Sequence, residues 1–136
     1  KSRCYKEVFN SRKVMVYIYV TIFSKLNYSD DGGAIHLVNT GIECIQTVFN
    51  ECKSKEASGG AIFIKNAYDF KSSITLEKLT FTKCEAEYGG AIYAYSSSYN
   101  NVVSIKDCIF KENIASATGK SLHFGGSAIY LTARKG

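Results

Sequence analysis

The sequence has 136 residues, of which 46% are hydrophobic and 21% are charged, a balance typical of one globular domain and not of a disordered chain. Its longest nearly apolar run covers residues 14–23, whereas a membrane-spanning helix needs about 20 residues, so we expect no membrane insertion. The formal charge is +5, with the basic residues densest at the two chain ends. Because nucleic-acid binders gather such residues into one patch, we expect no nucleic-acid partner.

The first thirteen residues contain five Lys or Arg side chains and no repeat motif. We expect residues 1–13 to form an N-terminal basic cap or connecting arm, and residues 14–136 to form one repeat domain. Because the first residue is Lys1 and not Met, we also expect the chain to be a segment or subunit of something longer.

Two motifs alternate along the rest of the chain. Gly-Gly-Ala-Ile occurs at residues 32–35, 59–62 and 89–92, and a variant with one inserted residue occurs at 125–129. Before each of these lies a four-residue motif that begins with phenylalanine, at residues 23–26, 49–52, 81–84 and 110–113. Such self-similarity at a period of about 30 residues is the signature of a repeat architecture.

The residues before each phenylalanine alternate between apolar and polar, which predicts a half-buried strand. The apolar positions seven residues before it are Val16, Ile42, Ile74 and Val103, and those five residues before it are Ile18, Cys44, Leu76 and Ile105. The alternation shifts by one residue just before the phenylalanine, which predicts a bend or bulge. The Gly-Gly-Ala-Ile segments also alternate, and the glycine pair favours a tight corner with positive φ.

No segment has the spacing of an amphipathic helix, so the sequence predicts an all-β fold. Repeats of this size with only short strands cannot enclose a core alone, but they can stack into a parallel β-helix, a solenoid of about four coils. Each coil adds about 4.8 Å, the spacing of paired strands.

The alternating motifs resemble the repeats of polymorphic outer membrane proteins, which occur in chlamydial autotransporter adhesins, over residues 14–131. The resemblance implies a right-handed parallel β-helix of the pectin-lyase-like type and a surface, adhesive or structural role. The Phe-x-x-Asn motif of that family matches Phe110 and Asn113, but Cys52 and Cys84 replace its Asn. We therefore expect the family's polar ladder at this turn to be mostly lost.

The cysteines have two open interpretations. Cys52 and Cys84 fall in one column of consecutive coils, about 4.8 Å apart, within the range of a disulfide, so they form either a disulfide or a stack of free thiols. Cys44 and Cys108 are predicted to be buried in the core, and Cys4 has no partner in the repeat pattern. No cysteine pair has zinc-ligand spacing, so we expect no metal and no cofactor.

The sharpest candidate for a binding surface is a column of aromatic residues that points outward if the neighbouring isoleucines point inward. Its members are His36, Phe63, Tyr93 and Tyr130. Two interpretations stay open: rings that stack to stabilise the sheet, or a contact strip for a neighbouring subunit or a carbohydrate. Asn27 begins a glycosylation sequon, Asn-Tyr-Ser.

No catalytic constellation is evident, so we expect no enzyme. The adjacent acids Asp30 and Asp31 precede a glycine pair, where Asp favours a turn, and His36 and His123 have no nucleophile at a recognisable spacing. The first hypothesis is a non-enzymatic structural or adhesive module, extracellular or on the cell surface, that self-associates or binds neighbouring chains through its coil ends. The alternatives are a carbohydrate-binding module and, less well supported, a degenerate polysaccharide lyase.

Overall fold

A computed structural model describes residues 5–8, 15–67, 71–97, 102–117 and 127–133, with only the backbone described for residues 5–8 and 133. Within these ranges every regular element is a strand and every strand pairing is parallel. The strands are, in chain order, β1 (Tyr5–Val8), β2 (Met15–Tyr19), β3 (Ile22–Ser24), β4 (Ile35–Val38), β5 (Gly41–Ile45), β6 (Val48–Asn50), β7 (Lys53–Ser58), β8 (Ile62–Asn66), β9 (Ser73–Glu77), β10 (Thr80–Thr82), β11 (Glu85–Tyr88), β12 (Ile92–Ser96), β13 (Val102–Lys106), β14 (Ile109–Lys111), β15 (Ile114–Ala115) and β16 (Ile129–Ala133).

The strands form four sheets that run along a solenoid, and successive coils supply successive strands. Sheet A has the order β1-β4-β8-β12-β16, and sheet B has the order β13-β9-β5-β2. Sheet C has the order β14-β10-β6-β3, and sheet D has the order β15-β11-β7. The predicted all-β parallel solenoid is confirmed. Sheet D has only three strands, so the chain makes about three complete turns through all four sheets and not the four coils that motif counting suggested.

The register places like residues on like residues. In sheet B, Val16 pairs with Ile42, which pairs with Ile74. In sheet C, Phe49 pairs with Phe81, and their rings are parallel with centroids 4.8 Å apart. Both rings are fully buried. The core is therefore a set of apolar columns, each with one residue per coil.

The parity shift before each phenylalanine is a corner between two sheets. The chain turns from sheet B to sheet C at residues in the left-handed region, with φ of 46°, 51°, 54° and 52° at Val20, Gln46, Lys78 and Asp107. A left-handed conformation costs a non-glycine residue roughly 1–2 kcal/mol. Hydrogen bonds between coils offset that cost, because the N–H of Gln46 donates to the carbonyl of Glu77 at 3.0 Å.

The two glycines of each pair are required for different reasons. Gly59 has a φ of +70°, which favours glycine. Gly60 does not have a positive φ, but a Cβ there would lie 2.1 Å from the carbonyl oxygen of Gly90 in the next coil. The predicted positive φ is thus confirmed for the first glycine of the pair, and the second glycine permits close stacking of the coils.

Candidate interaction surfaces

The predicted aromatic column lies on the outer side of sheet A. His36 pairs in register with Phe63, Phe63 with Tyr93, and Tyr93 with Tyr130. The ring centroids are 4.8, 5.3 and 4.7 Å apart in that order, and the last two pairs are nearly parallel. The isoleucines of the neighbouring column, Ile35, Ile62 and Ile92, are fully buried, so the two columns lie on opposite sides of the sheet.

The column is less open than a flat binding platform. Phe63 is only 5% exposed, and His36, Tyr93 and Tyr130 are half-buried. Burial, followed by the nearby charges of Tyr130 and Asp31, raises the pKa of Tyr93 above its ordinary value. A ligand on this face would therefore meet ring edges beside half-buried rings and not a row of free ring faces.

A shallow cleft of about 500 Å³ lies beside the first half of the aromatic column. Its apolar wall includes Phe63 and Tyr95, and its polar wall includes Asn39 and Lys65. The imidazole Nδ1 of His36 lies 2.9 Å from the carbonyl oxygen of Asp31, which fixes the ring at the edge of the cleft. The cleft therefore combines aromatic surface with amide and ammonium groups.

The position of the family's Asn carries a hydrogen-bonded ladder. The Asn113 side chain accepts a bond from the N–H of Cys84 at 2.9 Å and donates to the carbonyl of Phe81 at 3.1 Å. The thiols take over one half of this role in the earlier coils: that of Cys84 lies 3.8 Å from the carbonyl of Phe49, and that of Cys52 lies 3.7 Å from the carbonyl of Phe23. Among the described residues the two-bond Asn arrangement thus occurs at Asn113, and at Cys52 and Cys84 the sulfurs continue only its carbonyl half, with longer and weaker bonds.

Cys52 and Cys84 are free thiols in the structure. The hydrogen bond between the two thiols, together with burial, raises the pKa of Cys52. Both residues are fully buried. A disulfide between them stays a prediction. Cys44 is also buried, as predicted, whereas Cys108 is only half-buried because it lies in the last coil.

The glycosylation candidate Asn27 is exposed on the first coil, where it forms an isolated parallel bridge with Lys53. The next residue, Tyr28, donates its N–H to the carbonyl of Lys53 at 2.9 Å. The bridge fixes the backbone and leaves the amide side chain accessible, so the geometry permits a glycan. Occupancy stays a prediction.

The two adjacent acidic residues, Asp30 and Asp31, form hydrogen bonds between stacked coils. Asp31 accepts a hydrogen bond from the N–H of Ser58 in the next coil at 2.7 Å, and the hydroxyl of Ser54 donates to the carbonyl of Asp30. Among the residues that the structure describes, no three His, Cys, Asp or Glu side chains are grouped as a metal site would require. Asp30 and Asp31 thus tie one coil to the next at the turn.

Both ends of the solenoid leave apolar columns partly open. At the first end, Ile18 and Phe23 are half-buried, and a cleft of about 690 Å³ opens beside them. At the other end, Val103, Ile105 and Phe110 are half-buried. The equivalent residues of the middle coils are fully or almost fully buried. Within the part of the chain that the structure describes, the end coils therefore have the side chains of core residues but lack a complete neighbouring coil on one side.

Sequence reasoning missed a buried polar cluster next to sheet A. The side-chain amide of Asn66 is fully buried, donates to the hydroxyl of Ser72 at 2.7 Å and accepts from the N–H of Thr40 at 3.3 Å. A strand of this parity predicts an apolar residue at Asn66. The only sequence signal is the polar residue Ser96 at the equivalent position of the next coil.

Some predictions fall outside the described residues. They concern Cys4, His123, the last glycine pair at residues 125–126, and all of the N-terminal segment except Tyr5–Val8, which forms β1 and pairs with β4. Within the described ranges, no helix has the length and apolarity needed to cross a lipid bilayer.

Comparison of the chain with protein-family models, with curated proteins and with solved structures gave no match. The fold therefore rests on the strand pairing and register described above.

Proposed function

We propose that the chain is a non-enzymatic structural or adhesive module of a larger assembly or filament, and that it binds neighbouring chains through its coil ends. The observation that carries this proposal is the pair of partly open ends. Terminal strands offer unpaired N–H and C=O groups, which tend to recruit another strand. Here the same ends also expose apolar residues in the register of the core, among them Phe23 and Phe110.

The use of polar side chains supports the same proposal. The carboxylate of Asp31 accepts a hydrogen bond from the backbone of the next coil. Lys53 forms a 3.1 Å ion pair with Glu85 of the adjacent coil, and the amide of Asn113 donates to the carbonyl of Phe81. These groups are used to hold coils together and do not converge on one point where a substrate could react. A structural role, in which coils pack on coils, fits this arrangement better than a catalytic role does.

The proposed location is extracellular or on the cell surface. Two observations favour it: the exposed sequon at Asn27 and the resemblance of the repeats to those of polymorphic outer membrane proteins. From the same resemblance we propose that the solenoid is right-handed. Expression through a eukaryotic secretory pathway, followed by enzymatic removal of N-glycans, tests the first point. We expect a loss of mass for the parent chain and none for Asn27→Gln, and an unglycosylated parent would remove this support.

Sedimentation velocity and light scattering over a wide concentration range test the proposed function. We expect the average mass to rise with concentration, and electron microscopy of concentrated samples to show elongated particles. A chain that stays strictly monomeric at high concentration would count against a filament subunit.

The second candidate function is carbohydrate binding in the cleft beside the aromatic column. The combination of Phe63 and Tyr95 with Asn39 and Lys65 favours it, because sugar-sized ligands need apolar surface with a few convergent polar groups. We expect Tyr95→Ala to abolish any glycan binding. The matched control is Tyr28→Ala, because that ring is exposed on another face. Release of unsaturated uronides in the presence of calcium would instead favour a polysaccharide lyase.

A further inference from the structure

The phenylalanine column of sheet C continues to both ends of the solenoid. Its ring centroids are 5.1, 4.8 and 4.9 Å apart, and each adjacent pair is parallel within 6°. Among the described rings, Phe23 stacks on Phe49 alone and Phe110 stacks on Phe81 alone. A further ring at the same spacing would extend the column beyond either end. The ring that fits Phe110 in this way is the Phe23 of another copy.

Sheet B offers the same continuity. Its last strand, β13, presents Val103 and Ile105, and its first strand, β2, presents Val16 and Ile18. Placing β2 of another copy on β13 sets apolar residues on apolar residues, as in the middle of the sheet, where Ile42 lies on Ile74 and Cys44 on Leu76. It also fills the 690 Å³ cleft that Val16 and Ile18 line.

A column of alternating charge selects the orientation of the two copies. The corner after each phenylalanine is occupied by Lys25, Glu51, Lys83 and Glu112, all with φ of 53° or 54°. In the last step, the ammonium of Lys83 lies 3.9 Å from the carboxylate of Glu112. A head-to-tail joint sets Glu112 beside Lys25 and continues the alternation. A joint between two identical ends would pair the strands antiparallel, so it could not place Glu112 in register with Lys25 and would lose this alternation.

Sheet A adds a constraint, because it has five strands whereas sheet B has four. When β2 of a second copy lies on β13, β1 of that copy falls at the level that β16 already occupies. One of the two strands must leave. In the register of sheet A, β16 brings Ile129 and Leu131 to the columns of Ile35 and Leu37, whereas β1 brings Tyr5 and Glu7. Since β16 continues the apolar columns and β1 does not, β16 is the strand that stays.

We propose, on the basis of the proposed function, that the partner at each end is a second copy of this chain, joined head to tail by strand exchange. In the joint, β16 of one copy replaces β1 on β4 of the next. The same joint sets β13 on β2 and β14 on β3, so the columns of the core run on without a break. The N-terminal strand β1 then acts as a cover that occupies the assembly edge of the free chain.

Charge reversal tests the register. Lys25→Glu and Glu112→Lys each remove the attraction in the joint and add a repulsion, so each variant alone should need a concentration about 2- to 10-fold higher for half-assembly. A mixture of the two variants restores an opposite pair in every joint and should assemble like the parent chain. Circular dichroism checks that each variant is folded. Rescue on mixing is a result that loss of monomer stability would not give.

A second pair of variants tests the role of β16. Leu131 is 51% exposed in the single chain, but in the joint it would lie against Leu37. Leu131→Glu should therefore prevent assembly with little effect on monomer unfolding. Thr132→Glu is the matched control, because it adds the same charge one residue later, on the opposite side of the strand, and should assemble normally.

The outcomes separate the two proposals. Assembly of the parent chain that neither charge reversal nor Leu131→Glu affects would overturn this joint and leave the proposed structural function standing. A parent chain that stays monomeric would overturn both, and would mean that another segment of the chain or a different protein covers the ends. Assembly that is weakened in each charge-reversal variant alone and restored in the mixture of the two would support the proposed joint.

Discussion

The phenylalanine column offers the clearest test of how the solenoid is held together. Phe81 is fully buried and stacks on Phe49 and Phe110, at 4.8 and 4.9 Å. Replacing a buried Phe by Ala costs about 3–5 kcal/mol, and each aromatic stack contributes about 0.5–1.5 kcal/mol beyond burial. Because Phe81 has two stacks, we expect Phe81→Ala to fall in the upper part of the range for buried Phe and to lower the free energy of unfolding by about 4–5 kcal/mol.

The matched comparison is Phe110→Ala. Phe110 is half-buried and, among the described rings, stacks only on Phe81, so we expect roughly half the loss. Urea unfolding followed by far-ultraviolet circular dichroism measures both variants, at a concentration where the chain is monomeric. Should Phe81→Ala not fold, Phe81→Leu keeps most of the volume and supplies a smaller but measurable loss.

The stability loss of Phe81→Ala should exceed that of Phe110→Ala. A loss for Phe81→Ala below about 2 kcal/mol, or one equal to that of Phe110→Ala, would refute a main stabilising role for the ring column. The stacked rings would then be a consequence of the register and not a main source of stability. Since a whole domain is stabilised by about 5–15 kcal/mol, the expected loss is large enough to see clearly.

Three further predictions concern single positions. Gly60→Ala should cost about 1–3 kcal/mol or more in chemical unfolding, because its Cβ meets backbone of the next coil at 2.1 Å; unchanged stability would mean that the coils can separate freely. Asn113→Ala should lose about 1–3 kcal/mol of stability, because it leaves the Cys84 N–H and the Phe81 carbonyl without this partner. Asn113→Cys should lose less, and equal losses of the two variants in thermal melts would contradict the sulfur ladder. Burial raises the pKa of Cys44 from 9.0 to about 11, so the contribution of this thiol to the free energy of unfolding is complete below pH 9 and lost as the pH rises through about 11. Over that window the free energy of unfolding should fall more steeply with pH for the parent chain than for Cys44→Val. Parallel pH dependences for the two chains would exclude this cause.

Much of the fold could be predicted because a solenoid places equivalent residues at equivalent positions. The columns of Ile42, Cys44 and Phe49 follow from motif spacing alone, since parallel in-register pairing sets each residue on its counterpart. The aromatic column of sheet A follows from the same logic. Counting motifs overstated the number of turns, because each turn needs a complete circuit through all the sheets and a motif marks only one part of it.

The corners and the ladder could not be predicted in the same way. A left-handed conformation at Lys78 or Glu112 has no clear mark in the local sequence, because charged residues occupy many kinds of turn. What supports such a corner lies in the next coil, about 30 positions away in the chain: the N–H of Lys78 donates to the carbonyl of Lys106, and the N–H of Lys83 donates to the carbonyl of Lys111. The sulfur ladder was missed for the same reason: Cys84 replaces Asn, but its thiol contacts the carbonyl of Phe49 in the preceding coil.

The sequence by itself determined the repeat, the strand parity and the columns, because these depend on spacing along the chain. Only the tertiary structure decided how exposed each column is. Phe63 was predicted to face outward, and it lies in the expected column but is 5% exposed. The two ends could be expected from the repeat, but their charge and strand order became visible only when the coils were stacked. The physical reason is that exposure, hydrogen bonding and ion pairing depend on the neighbouring coil.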